Sequence, residues 1–196
     1  MAERTRRDLI RGGAAAAAGL ALGVGRGCRS DQPGRPDGSL RPPGALAEPD
    51  FLARCIRCGR CGTVCEAGCI RFGDSLDTEG STPYIVPVER ACVLCMQCGE
   101  VCPSGALEPI SEDLAVVADR VRMGTAVIDN GLCWARGGRG VCRACWYACP
   151  FGDGAVELRG PFLRPHIVEE RCVGCGLCAE ACPPEAHAIT IRPRSS

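Results

Sequence analysis

Residues 92 to 103 read Cys92-Val93-Leu94-Cys95-Met96-Gln97-Cys98-Gly99-Glu100-Val101-Cys102-Pro103. Cysteines stand at every third position, a fourth follows after three more residues, and a proline closes the run. A loop spaced in this way turns its first three sulfurs toward one centre. The fourth sits where the chain turns at Pro103, so its sulfur points the other way. Related runs occur at Cys55, Cys58, Cys61 and Cys65, and at Cys172, Cys175, Cys178, Cys182 and Pro183. A stretched version places Cys133 eight residues before Cys142, then Cys145, Cys149 and Pro150. These four runs account for 16 of the 18 cysteines in the 196-residue chain.

The C-x2-C-x2-C-x3-C-P spacing belongs to [4Fe–4S] ferredoxins. A cubane offers four iron corners, and one loop reaches three of them. The fourth ligand then comes from the partner run. On this crossed pattern cluster I takes Cys55, Cys58, Cys61 and Cys102, and cluster II takes Cys92, Cys95, Cys98 and Cys65. Cluster III takes Cys133, Cys142, Cys145 and Cys182, and cluster IV takes Cys172, Cys175, Cys178 and Cys149. Other pairings of the four runs satisfy the same spacing. Zinc sites built from two C-x2-C pairs would leave the third cysteine of each run surplus. With only His166 and His187 and no C-x2-C-H sequence, c-type haem attachment is excluded. A disulfide framework is the remaining rival, favoured by cysteine content alone.

The second and fourth runs superpose at an offset of 80 residues, with Val88-Glu89 matching Val168-Glu169. The first and third superpose at 84, except that Cys133 lies six residues early. Two dicluster units therefore stand in tandem. The expected fold is α+β, with short β-hairpins and short helices around the clusters. Short alternating segments precede the loops at Tyr84–Val88, Ala126–Asp129 and His166–Val168, and others follow them at Cys69–Phe72, Ala155–Leu158 and Ala188–Ile191. The expected divisions are an export signal over 1–30, an extended Pro-rich tether over 31–48, unit 1 over 49–108, a linker over 109–123, and unit 2 over 124–196. Within the linker, Asp113 to Arg122 reads as one amphipathic helix.

Only eight aromatic residues are present, too few for stability by burial alone, so cross-links must contribute. The 23 basic residues, all Arg, balance 23 acidic ones, which argues against a nucleic-acid partner. Beyond residue 30 there are 17 Arg against 21 acidic residues, and each oxidised cubane with its thiolates adds about −2. The working protein is therefore acidic.

Arg6-Arg7, followed by the weakly apolar Gly12–Gly25 stretch, resembles a twin-arginine export signal. That stretch falls short of the roughly 18 apolar residues a membrane span needs. The twin-arginine route carries proteins already folded and loaded with cofactor, which suits a metal cluster better than disulfides formed after export. Ala45-Leu46-Ala47 has the form of a cleavage site, and Cys28 that of a lipidation site lacking the usual aliphatic residue at Gly25.

Complete thiolate ligation leaves no open iron corner, and no acid–base or nucleophile constellation accompanies the cysteines, so the expected chemistry is one-electron relay along a row of clusters rather than catalysis. Trp134, Trp146 and Tyr147 are expected to shield cluster sulfur. Arg54, Arg57 and Arg60 form a solvated basic face. Cys28 and Cys69 are left as spare thiols.

The chain resembles the NapG/MauM type of periplasmic ferredoxin-like protein. The resemblance rests on the twin-arginine start, Arg41-Pro42-Pro43-Gly44-Ala45, Cys102-Pro103-Ser104-Gly105-Ala106-Leu107, Arg122-Met123-Gly124 with Ala126-Val127, and the widened third run. It implies four [4Fe–4S] clusters that carry electrons from a polytopic, iron–sulfur-containing, quinol-oxidising membrane partner to a periplasmic acceptor. The protein would be exported folded to the periplasm, with a peripheral membrane position as a further option. The chain departs from the family at Glu66, where Pro is usual after Cys65, and Cys69 four residues on is a second candidate ligand there. Fourteen residues follow Cys182, fewer than in the nitrate-system members, which leaves the acceptor open. The alternative is the four-cluster electron-transfer subunit of a molybdopterin oxidoreductase, although those subunits carry the wide gap in the last run.

Overall fold

The computed structural model describes residues 39–73, 81–183 and 188–194. The twin-arginine start, Cys28, the first part of the expected tether and His187 lie outside the described residues.

All six alternating segments become strands. β1 (Ile70–Phe72) pairs antiparallel with β2 (Pro83–Ile85). β3 (Gly124–Ile128) pairs with β6 (Ile189–Pro193), and β4 (Val156–Arg159) with β5 (Arg164–Ile167). Alternation shows directly in β3, where Gly124, Ala126 and Ile128 are buried and Thr125 and Val127 are half-buried. One edge of such a short strand faces the core while the other remains accessible. The second half thus has an inner hairpin, β4–β5, and an outer pair, β3–β6, that closes its two ends together. The first half has the inner pair β1–β2, while its outer pair shrinks to a single bridge between Ala45 and Leu107.

That bridge corrects the expected tether. Over its described part the stretch is docked rather than loose: Leu40 is buried and exchanges backbone hydrogen bonds of 2.8 Å with Ile85 in both directions. Arg41 donates to both Glu48 carboxylate oxygens, to Thr82 Oγ1 and to the carbonyl of Pro83, and its guanidinium lies 4.5 Å from the centre of the Phe51 ring. Gly44 has φ +79°, and a Cβ there would sit 2.3 Å from the carbonyl oxygen of Glu108. Only glycine allows the Glu108 N–H to reach the Gly44 carbonyl at 2.7 Å. Leu46 and Ala47 continue directly into α1 (Glu48–Arg54), whose Phe51 is fully buried and contributes roughly 1.5–3 kcal/mol by transfer from water. Cleavage after Ala47 would remove Leu40, Arg41 and Ala45 from this packing.

The helices are short. α2 (Arg60–Thr63), α3 (Gln97–Glu100), α5 (Ala144–Ala148) and α6 (Leu177–Glu180) each follow from a cysteine loop. Between the halves, α4 (Leu114–Arg120) occupies the expected linker helix. Asp113 caps it by accepting from the N–H of Ala115 at 2.7 Å, and Arg122 donates to the carbonyls of Ala118 and Val121 at its other end.

The repeat boundaries do not mark separate packing. The described residues all fall within one compact unit. Val117, Val121 and Met123 of the linker share a buried cluster with Ile85 and Leu94 of the first half and with Val156 and Ile191 of the second. Eight cysteines are themselves part of the core, filling the space that aromatic residues leave. Among the described residues, no helix is long and apolar enough to cross a membrane.

Candidate metal centres

The cysteine loops share a backbone device. In the first, second and fourth runs, the residues before and after the second cysteine adopt positive φ: Arg57 and Gly59, Leu94 and Met96, Gly174 and Gly176. Left-handed backbone costs a side chain about 1–2 kcal/mol, so Leu94 and Met96 hold it against their own preference. The alternation coils the loop tightly enough to turn three sulfurs inward. The third cysteine then falls inside the short helix that follows, Cys61 in α2, Cys98 in α3 and Cys178 in α6.

The third run reaches the same end by a different route. Its insert folds into a tied turn, with Gly137 N–H on the Cys133 carbonyl at 2.7 Å and Arg139 N–H on the Trp134 carbonyl at 2.9 Å. Arg136 fastens the turn by donating to the Pro165 carbonyl at 2.9 and 2.7 Å and to Asn130 Oδ1 at 2.7 Å. Cys133 thereby returns to Cys142 and Cys145.

The sixteen sulfurs stand in four sets. Cys55, Cys58, Cys61 and Cys102 line one cavity. Cys65, Cys92, Cys95 and Cys98, with Cys69, line a second. Cys149, Cys172, Cys175 and Cys178 line a third. In the remaining set, Cys145 lies in the field of Cys142 and Cys133, and Cys182 in that of Cys133 and Cys142. Each set joins three cysteines of one run to the last cysteine of its partner run.

The sulfurs surround these cavities without closing on a point. A single zinc ion with Zn–S bonds of 2.3 Å would draw its sulfurs to about 3.8 Å from one another. Among the described residues, no three Cys, His, Asp or Glu side chains converge closely enough to hold a single ion. The donor set is all thiol within apolar walls, which fits a cubane.

Burial in those apolar walls raises the thiols. It pushes Cys61 and Cys145 up to about 11 and Cys98 and Cys175 up to about 12, with neighbouring cysteines adding repulsion, and it raises Cys178 well above the ordinary thiol value. Backbone N–H groups oppose this. Leu107 donates to Cys102 Sγ and Ala126 to Cys172 Sγ, each at 3.4 Å. Cys102, only partly buried, is lowered because the donors from Leu107, Ser104 and Ala106 outweigh desolvation. Such N–H···S bonds are among the levers that tune a bound cluster.

Neighbouring sets adjoin. Cys61 and Cys98 belong to one buried cluster where α2 meets α3. Cys178 lies in the field of Cys145 where α5 meets α6. The halves meet at Cys92, whose N–H donates to the Cys175 carbonyl at 2.9 Å. The sets therefore run in the order I, II, IV, III, which the spacing of the cysteines does not reveal.

Two expectations change. Of Trp134, Trp146 and Tyr147, only Trp146 packs against the core, its Nε1 donating to Asp153 at 2.7 Å. Trp134 and Tyr147 are exposed, and Tyr147 stacks edge-on against Trp146 at 4.9 Å. Cys69, expected as a spare thiol, is buried in the second set with its Sγ 3.5 Å from that of Cys65. It keeps its proton by hydrogen bonding to Cys92, which lowers Cys92 in turn. Arg54, Arg57 and Arg60 are exposed, as expected of a solvated face.

Comparison with known proteins agrees with this geometry. Residues 54–106 match the 4Fe-4S dicluster domain family, and residues 165–186 match the 4Fe-4S binding domain family. The chain is 33% identical to the methylamine utilization ferredoxin-type protein MauM of Methylorubrum extorquens, over 97% of this chain and 90% of that protein. It is 33% identical to the ferredoxin-type protein NapG of Haemophilus influenzae over 73% of this chain, spanning about half (54%) of that relative's length. A shorter match, 40% identical over 27% of this chain and 31% of the relative, is to the electron transport protein HydN of Escherichia coli. The common chemistry is [4Fe–4S] binding and electron transport, and the chain belongs to the NapG/MauM family of ferredoxin-type proteins.

Proposed function

We propose that this chain is a periplasmic electron-transfer protein holding four [4Fe–4S] clusters. It takes electrons from a polytopic, iron–sulfur-containing, quinol-oxidising membrane partner and delivers them to a periplasmic acceptor. The observation that carries the reading is the unbroken row of four cysteine sets, joined at Cys61 and Cys98, Cys92 and Cys175, and Cys178 and Cys145.

A bound [4Fe–4S] cluster supplies reversible one-electron storage. The residues supply its site. Cys55, Cys58, Cys61 and Cys102 would hold the first cluster, and Cys92, Cys95, Cys98 and Cys65 the second. Cys133, Cys142, Cys145 and Cys182 would hold the third, and Cys172, Cys175, Cys178 and Cys149 the fourth. Phe51 and Leu107 exclude water at the first set, Ile70 and Ile85 at the second, and Ala126, Val156 and Ile191 at the fourth. With four thiols engaged at each cluster, no iron corner is left open to a substrate, and the role is that of an electron carrier.

The periplasmic location rests on Arg6-Arg7 and the apolar stretch behind them. The partners rest on the family resemblance. The test is purification from membranes under anaerobic conditions, followed by reduction with a quinol. Reduction of this chain only when the membrane fraction is present supports the reading. Equal reduction without membranes, or none with them, counts against the quinol-oxidising partner.

A further inference from the structure

In each of the four repeats the last cysteine leads into a strand or bridge, and the residue just before that element occupies one buried position. It is Ala106 before Leu107, Ala155 before β4, Ala188 before β6, and Cys69 before β1. All four are at most 2% exposed. Ala106 lines the cavity of Cys102, and Ala155 that of Cys149. Cys69 lines the cavity of Cys65 in the same way, but brings a sulfur where the other repeats bring a methyl group.

The second set consequently holds five sulfurs, those of Cys65, Cys69, Cys92, Cys95 and Cys98. A cubane has four iron corners. The three cysteines of the second run occupy three of them, which leaves Cys65 and Cys69, 3.5 Å apart, facing one. In the segment between them Glu66, which accepts from Gln97 Nε2 at 2.9 Å, stands where the other three turns have proline, and Gly68 adopts φ +60° with open space beside it.

We propose that Cys65 and Cys69 are alternative ligands for the same iron corner of the second cluster. The inference rests on the reading that this set holds a [4Fe–4S] cluster. In the exchange, Cys69 forms an Fe–Sγ bond as Cys65 gives up its own. The proton released by the Cys69 thiol passes to the departing Cys65 thiolate across the gap. No electron enters or leaves, and no co-reactant is consumed. Cys69 thereby acts as a reserve ligand, which among the described residues the other three sets lack.

The test uses the full chain, purified anaerobically as wild type, Cys65→Ala, Cys69→Ala, the double variant and Cys95→Ala, with iron content and electron paramagnetic resonance as readouts. Wild type is measured first, and absence of sulfide-bridged iron there would fail the cluster reading itself. Each single variant at Cys65 or Cys69 is expected to keep wild-type iron and show no three-iron signal. The double variant is expected to lose about one iron and, after brief oxidation of every sample with ferricyanide, which takes the one electron needed, to show that signal, as is Cys95→Ala, whose corner has no second thiol. A three-iron signal in Cys65→Ala as strong as in the double variant overturns the proposal. A second measurement needs no variant: prolonged alkylation of the loaded wild type, followed by peptide mapping. A cap shared between Cys65 and Cys69, about one per chain, is expected; a cap confined to Cys69 overturns the exchange.

Discussion

The backbone N–H of Cys92 donates a 2.9 Å hydrogen bond to the carbonyl oxygen of Cys175. The first cysteine of the second run is thus stitched to the second cysteine of the fourth. Around that bond, a Cβ on Gly176 would lie 2.5 Å from Pro87 Cβ, and the Ala91 N–H faces Glu180 Oε2 at 3.4 Å. A seam of backbone and small residues brings two cysteine sets closer than any long side chain would permit. It makes one row from two tandem repeats.

That close packing has a stability signature. Gly174 has φ +78°, and a Cβ there would fall 2.4 Å from the backbone nitrogen of Gly124, which cannot move aside. Gly174→Ala should therefore cost about 2–4 kcal/mol, combining left-handed strain with overpacking. Gly138→Ala, at φ +72° with nothing within 4 Å, should cost only about 1 kcal/mol. Denaturant unfolding of the two loaded variants measures the difference, and equal losses would speak against the tight approach.

Crossed ligation predicts which cluster each cysteine serves. Cys102→Ser should remove the same spectroscopic component as Cys58→Ser, since both sulfurs face the first cavity. Cys95→Ser, in the same run as Cys102, should remove a different one. Anaerobic resonance spectra of the three reduced variants decide the matter. Shared loss between Cys102→Ser and Cys95→Ser would reject the crossing.

Much of this was readable from residues alone. Alternation located all six strands, and Asp113 with the apolar stripe of Val117 and Val121 located the linker helix, because short-range periodicity survives in the sequence. The crossed grouping of the sulfurs was one of several pairings that the cysteine spacing allows, because the choice among them depends on which loops meet in space. The order of the sets was not legible, since the seam at Cys92 and Cys175 is made of backbone atoms. Nor was the docking of Leu40 and Ala45, whose Pro-rich surroundings read as loose chain when their partners Ile85 and Leu107 lie far away in sequence. The left-handed backbone of Leu94 and Met96 was hidden by side chains that seldom adopt it. The place of Cys69 left a partial trace, for aligning the residues after each run sets it directly against Ala106, while Ala155 and Ala188 fall into line only with a two-residue gap.

Loading should depend on pH. Cys61 and Cys145 near 11, and Cys98 and Cys175 near 12, are neutral thiols at neutral pH and must release protons on ligation. Reconstitution should improve as pH rises from about 6 to 9, and acidification should strip the clusters. The metal-free chain should show the opposite limb. Its folded state holds these protons above the ordinary thiol value of 9.0, so folding stability is unaffected below that pH and falls as pH climbs through 11 to 12. Melting of loaded and metal-free protein across pH checks both signs; a metal-free chain that gains stability above pH 9 would be inconsistent with the buried thiols.

Export should depend on the paired arginines. Replacing Arg6 and Arg7 together by Lys keeps the charge but removes the motif. The protein is then expected to accumulate, loaded, in the cytoplasm, as fractionation and iron content would show. Unchanged periplasmic yield would remove the basis for the proposed location.

The row of four clusters is tested most directly by iron and acid-labile sulfide analysis of the anaerobically purified full chain, combined with a reductive titration followed by electron paramagnetic resonance. Four cubanes require roughly sixteen iron atoms and as many sulfides per chain, with interacting signals as adjacent sets become reduced. Zinc without sulfide, or roughly eight iron atoms with isolated signals, would show that the sixteen cysteines do not form that row.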